Sequence, residues 1–393
     1  MKMAAFFSRF KLLFILLSML IVTILFGDTI PINVKAFFYA ISLSIKNTLV
    51  FLLPLIIFIF LWSSLIALQS KAGKFVILLL ILVTTSNFIG IMTGFEAGVN
   101  ILPLLNFNIT MISNELRLIP TWNFTFPQIV DTKIALLISF IFGLLFAFKP
   151  NTYVSHIAQK LNTATIYFFR NYFTPILPLF ILGFLFKLQH EKILSELVAS
   201  YGPILLLIAS TQILYLTMMY LIAANFKIGR FFEQIKNMIP ASVTAFSTMS
   251  SAATLPLTIM CSEKNLEDKS FARIIIPATC NIHTIGSSIG LTIIALATLQ
   301  AFHLELPALK NFIEFAVYFA LAKYAVAGIP GGVVVVAAPL LETYLGFTPE
   351  MIGIVTAIYI LFDTFGTATN VTGNGAFAII FSKIYRPTKK DGT

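Results

Sequence analysis

Apolar runs of about 20 residues recur along the chain, separated by short polar junctions, and about 20 residues is what one helical crossing of a bilayer requires. Such runs lie at roughly 10–27, 47–68, 74–98, 134–149, 163–187, 199–225, 271–301 and 350–382. Two more apolar stretches, 231–262 and 312–346, are interrupted by small and polar residues. The pattern predicts an all-α polytopic membrane protein with eight transmembrane helices and two irregular segments.

The first irregular segment carries Phe246-Ser-Thr-Met-Ser-Ser-Ala-Ala-Thr-Leu-Pro256 between arms flanked by basic residues. A re-entrant helical hairpin that enters and returns on one side fits it, with its tip at Ser250-Ser251. The second carries Ala327-Gly328-Ile329-Pro330-Gly331-Gly332, where glycine and proline interrupt helix and free backbone groups. Free backbone at membrane depth survives only in protein or against a cavity. Its flanks fall on the opposite side, so the second hairpin is expected to enter from there. Each is followed by a span with polar interruptions: Asn281-Ile-His283-Thr-Ile285-Gly286-Ser287, and Asp363 through Asn374. Hairpin plus interrupted span, twice and with opposite entry, reads as an inverted repeat, the layout of secondary transporters with a midplane site.

The last span carries the clearest chemical signal. Asp363, Thr367, Asn370 and Asn374 are spaced four, three and four apart, which places them on one helical face. A packing stripe of Thr, Asn and Gly is the structural alternative. An ionisable residue inside a span points instead to function. No Lys or Arg shares the face of Asp363, so a ligand ammonium is the expected partner. Lys323 is expected to snorkel toward an interface. His283 reads either as a hydrogen-bonded core histidine or as a proton carrier, and Glu342 as structural.

Composition narrows the class further. Of 393 residues, 58% are hydrophobic and only 11% charged, against about 25% charged in soluble domains. The formal charge of +10 is spread over short junctions rather than clustered with aromatics, which excludes nucleic acid as a partner. Basic residues are denser on the side of both termini, so both are expected in the cytoplasm, at a bacterial-type plasma membrane. Cys261 and Cys280 imply no disulfide framework. The N-terminal apolar run reads as a first span rather than a cleaved signal. Asn108-Ile-Thr and Asn123-Phe-Thr match the glycosylation acceptor pattern but carry little weight. Nothing resembles a metal-ligand cluster or a nucleophile with its base, so the chain is not read as an enzyme.

From about 230 to 385 these motifs resemble the dicarboxylate/amino acid:cation symporter family. Ala245 through Thr258 is similar to its serine-rich first hairpin tip. Gly328-Ile-Pro-Gly-Gly332 is similar to its second, and Asn370-Val-Thr-Gly-Asn374 to its Asn-Val-Thr-Gly-Asp signature. The resemblance implies a homotrimer working as an elevator in the lipid bilayer. Residues 1–73 and 101–192 would form a scaffold, 74–100 and 193–386 a transport domain, and 387–393 a cytoplasmic tail. It implies that Asp363 binds a substrate ammonium and that Thr367 and Asn370 contact the small-molecule substrate. Ser250, Ser251, Gly328 and Ile329 would supply backbone donors and a lid.

The departures shape the expected function. Acidic-substrate relatives carry arginine where this chain has Gly366, and some carry one where it has Met249. A bidentate clamp on a second carboxylate is then missing, and a neutral, zwitterionic amino acid is expected. The sodium-binding aspartates are replaced by Ile285 and Asn374, and a neighbouring asparagine by His283. Anionic ligands for a hard cation are lost. Candidate coupling-ion residues are Thr85, Ser86, Asn281, His283, Asn370 and Asn374. No cofactor is expected beyond a bound sodium ion, for which a carbonyl-lined site near Asn281, Asn370 and the second hairpin remains. Coupling to a proton or to fewer sodium ions follows. A dicarboxylate or acidic amino acid symporter, an ion channel and a non-transporting receptor are the alternatives.

Overall fold

A computed structural model describes residues 11–66, 73–105, 118–127, 130, 132–192, 194–326 and 331–385. The chain is helical throughout, with no strand among the described residues. In order, the helices are α1 (Lys11–Phe26), α2 (Ile32–Ile66), α3 (Gly73–Ile101), α4 (Thr132–Phe148), α5 (Thr152–Phe168) and α6 (Thr174–His190). Then follow α7 (Leu194–Ala223), α8 (Ile228–Thr248), α9 (Ser251–Ser262), α10 (Lys269–Thr279) and α11 (Ile285–Ala301). The last are α12 (Leu309–Ala322), α13 (Gly332–Leu345) and α14 (Pro349–Ile384).

Gly73–Leu105 and Gly202–Ala223 are each long and apolar enough to cross a membrane. Thr152–Phe173 with Pro178–His190, and Pro349–Ile360 with Phe362–Ile384, reach that length as pairs bent by 52° and 62°. One sequence expectation holds here and one changes. The 271–301 run divides into α10 and α11 around Cys280–Thr284. The last span bends at Leu361 but does not break: its polar residues point sideways while the helical ladder of α14 continues past them. The two interrupted spans are therefore unlike.

Packing centres on α11, whose residues from Ile285 to Leu299 are all buried. It is enclosed by α3, α7 and α14. Close approach to α3 depends on Gly90, Gly94 and Gly98 on one face of that helix; a Cβ on Gly94 would lie 3.0 Å from the Ile289 carbonyl oxygen. Small residues every fourth position are a common way for membrane helices to pack closely. The opposite face of α3 exposes Ile77, Ile81 and Ile89, an apolar stripe suited to lipid. Helix α2 packs against α4, α5 and α6 instead.

Helices α8 and α9 pack side by side, and their turn is Met249-Ser250, one residue earlier than the expected tip. Met249 takes the left-handed conformation (φ 50°) and its N–H donates to the Ala245 carbonyl. That conformation costs a non-glycine residue ~1–2 kcal/mol. Ser250 then caps α9, its hydroxyl accepting from the Ala253 N–H at 3.2 Å. At the start of α14, Glu350 accepts from the Tyr39 hydroxyl of α2 at 3.3 Å and lies 3.9 Å from Lys187 of α6.

Candidate functional site

The break between α10 and α11 is held open by one side chain. Asn87 of α3 donates to the Ile282 carbonyl at 2.7 Å and accepts from the Thr284 N–H at 3.0 Å. Backbone groups freed inside a membrane need partners from the protein, and a fully buried asparagine supplies both. The sequence reading did not single out Asn87. Its neighbour Thr85, named as a coupling-ion candidate, lies on the exposed stripe of α3 and does not reach the site. The run Thr84-Thr85-Ser86-Asn87 covers a full helical turn, so some of its residues must face away.

The polar stripe of α14 is buried as expected, with Asp363, Thr367, Asn370 and Asn374 each 6% exposed or less. The first three line a cavity of about 30 Å³ together with Met249, Ser251, Cys280, Asn281, Thr284, Ser287, Val326 and Val333. A hairpin, a broken span, the arms of a second hairpin and the last helix thus meet at one place. Asp363 accepts from the Gly331 N–H at 3.3 Å. The buried Tyr359 hydroxyl faces Asp363 and Ser287 but reaches hydrogen-bond geometry with neither, and the Thr284 hydroxyl is likewise unpaired. Polar atoms left unpaired beside a carboxylate are what a ligand or water would satisfy.

Asn370 spends its amide on the protein. Its Oδ1 accepts from the N–H groups of Gly286 and Ser287 at 2.8 and 3.3 Å, and its Nδ2 donates to Ser287 Oγ at 3.0 Å. It caps the start of α11 from across the cavity. Gln212 of α7 donates to the Gly286 carbonyl at 2.9 Å and accepts from Thr369 at 3.2 Å.

One turn further along α14 lies a second polar corner. His283 is fully buried, with Nδ1 3.0 Å from Asn374 Oδ1 and Nε2 2.9 Å from Ser86 Oγ. This pattern fits a neutral imidazole that donates to the amide and accepts from the hydroxyl. The ring also stacks on Phe377 at 4.4 Å. Of the coupling-ion candidates, Ser86, His283 and Asn374 come together here, while Asn281 and Asn370 belong to the cavity. Ile285, where an aspartate was expected for sodium, is buried against Gly373.

Lys323 departs most from expectation. It does not snorkel outward: it is fully buried at the end of α12. Its Nζ lies 3.5 Å from the Thr284 carbonyl oxygen and 4.4 Å from the centre of the Phe319 ring. It is near enough to Asp363 for the two charges to interact. Asp363 therefore has a cationic neighbour from another helix, which no spacing rule along its own helix could reveal. Gly366 is buried, with its missing Cβ 3.8 Å from Ser287. Ser250 caps its helix but does not line the cavity. Gly328 and Ile329 lie outside the described residues. Among the described residues no group of three His, Cys, Asp or Glu could hold a metal.

The sequence pattern of the sodium:dicarboxylate symporter family matches residues 12–384. Excitatory amino acid transporter 3 of Mus musculus is 27% identical over 214 residues, 54% of this chain and 40% of that protein. Neutral amino acid transporter A of Homo sapiens is 29% identical over 162 residues, 41% of this chain and 30% of that protein. Excitatory amino acid transporter 5 of Mus musculus is 30% identical over 153 residues, 39% of this chain and 27% of that protein. The chain thus spans less than half the length of the curated relatives it matches. With the family pattern running through nearly all of its length, the chain belongs to the sodium:dicarboxylate symporter family.

Proposed function

We propose that this chain is a cation-coupled secondary transporter for a small, neutral, zwitterionic amino acid. The observation that carries the reading is Asp363, a buried carboxylate in the wall of a polar cavity, where Gly366 leaves no arginine for a second carboxylate. A buried carboxylate attracts a ligand ammonium, and the unpaired Tyr359 and Thr284 hydroxyls stand ready for further polar contacts. The ligand's own carboxylate would be met by backbone donors of the hairpin tips. A cavity of about 30 Å³ has room for about two waters. Admitting an amino acid therefore requires its walls to part.

The proposed cycle is an elevator in a homotrimer, with eight spans, two re-entrant hairpins and both termini in the cytoplasm of a plasma membrane. Residues 1–73 and 101–192 act as scaffold, and 74–100 with 193–386 as the moving domain. Two observations support this division. Helix α2 packs on α4, α5 and α6, whereas α11 gathers α3, α7 and α14. Tyr39 and Lys187 meet Glu350 at a polar joint that sliding would break.

A dicarboxylate or acidic amino acid is the second reading, favoured by the family's description and by the excitatory amino acid transporters among the relatives. Uptake by purified protein in liposomes separates the two. Accumulation of neutral amino acids is expected; accumulation of dicarboxylates alone would overturn the first reading.

A further inference from the structure

Sodium fits this chain poorly at each place expected to hold it. A hard cation needs several free oxygen ligands. At the inner corner the His283 imidazole lies between Ser86 and Asn374, and Ile285 supplies an apolar wall. At the cavity, Asn370 Oδ1 already accepts two backbone N–H groups. The carbonyl-lined site remained, near Asn281 and the second hairpin. There the Thr284 carbonyl faces the ammonium of Lys323 instead.

We propose that Lys323 is a built-in cation of this site, its ammonium occupying the position beside the Thr284 carbonyl that a sodium ion would need, so that no sodium ion binds there. The geometry carries this. Lys323 is fully buried, and its Nζ points at a carbonyl oxygen of the α10–α11 break. The Phe319 ring lies 4.4 Å away and offers a cation–π face. Asp363 of α14 is the nearest opposite charge to influence it. An isolated buried ammonium is far too costly to persist, whereas one shared among a carbonyl, a ring face and a carboxylate is compensated. Lys323 and Thr284 lie on two different elements beside the cavity, so the tether also fixes the end of α12 against the α10–α11 break. The inference rests on this geometry and not on which substrate the protein carries.

The test reads ion occupancy alone, by thermal melting of the purified full-length protein in sodium chloride, methylammonium chloride and choline chloride at equal ionic strength. The wild type should melt at the same temperature in all three. Lys323→Ala should melt lower in choline and gain a saturable upward shift with sodium or methylammonium, the small cations that can enter the vacated position. A saturable sodium shift in the wild type equal to that of Lys323→Ala would overturn the proposal. So would a variant that melts alike in all three salts. If Lys323→Ala does not fold, Lys323→Met combined with Asp363→Asn decides. Removing both charges should give a protein that melts above the Asp363→Asn single variant. A double variant less stable than that single variant counts against a compensated pair.

Discussion

Two nitrogen-bearing side chains meet at the α10–α11 break, His283 from within it and Lys323 from the end of α12, and their surroundings differ in kind. The His283 ring is neutral in its bonding, with a partner on each nitrogen and an aromatic stacked on its face. Among the described residues Lys323 has no charged group at salt-bridge distance; its ammonium rests on a carbonyl, a ring and the field of Asp363. The first corner is closed and self-satisfied. The second borders a cavity with unpaired hydroxyls and a carboxylate. A buried polar network whose members are all satisfied contributes rigidity, while one with open valences marks a place where something binds. That contrast is why the proposed ligand chemistry centres on the Asp363 corner and packing on the His283 corner.

The contrast is open to mutation, and the largest effect is expected at Asp363. Asp363→Asn removes the charged acceptor of the Gly331 N–H and the opposite charge near Lys323, at a cost of about 1.5–3 kcal/mol in stability. It should also lower amino acid affinity on the order of 100-fold, since each tenfold is about 1.4 kcal/mol. Melting and liposome uptake check the two parts separately. Next is Asn87→Ala, which orphans the Ile282 carbonyl and the Thr284 N–H. About 1–3 kcal/mol for each group is expected, read by melting, and both corners should loosen together because one amide holds the break between them.

Gly366→Arg tests selectivity at the open corner. A Cβ there would meet Ser287 only at ordinary contact distance, so the first atom of the side chain is accommodated and the rest would occupy the space that opens when the cavity walls part. Preference for dicarboxylates over neutral amino acids should rise about tenfold or more, because a guanidinium supplies the bidentate partner a second carboxylate needs. Competition uptake measures it. At the closed corner, His283→Asn should cost about 1 kcal/mol, the worth of one neutral hydrogen bond. The pH profile of uptake should keep its shape. A profile flattened by this change would move His283 from packing to proton transfer and dissolve the contrast drawn here. The smallest effect belongs to Tyr39→Phe, which removes the bond to Glu350. A shift of about 0.5–1.5 kcal/mol in the balance of transport-domain positions is expected, seen as a modest change in uptake rate without a change in affinity.

Much of this site was legible because a bilayer leaves few options. An Asp in an apolar span followed by Thr and Asn at four, three and four residues had to form one buried face, and it does. The hairpin at 249–250 was legible from small polar residues between apolar arms, with an error of one residue. The phase of α3 was not. Four polar residues in succession give no preferred face, and only contact with α11 decides that Ser86 and Asn87 turn inward while Thr85 faces out. The Gly90, Gly94 and Gly98 spacing was the unused signal for that phase, since it marks the face that packs most closely.

The sequence by itself determined the class of solvent, the helical architecture, the polar stripe of α14 and the absence of an arginine at Gly366. These depend on periodicity and residue type within one helix, where spacing translates directly into geometry. Only the tertiary structure decided which charge meets which. Lys323 and Asp363 are far apart along the chain and sit on different elements. Read alone, a lysine at the end of an apolar helix points to the interface. Packing of α12 against α3 and α13 turns it inward, toward the Thr284 carbonyl, and gives Asp363 a neighbour that its own helix does not carry.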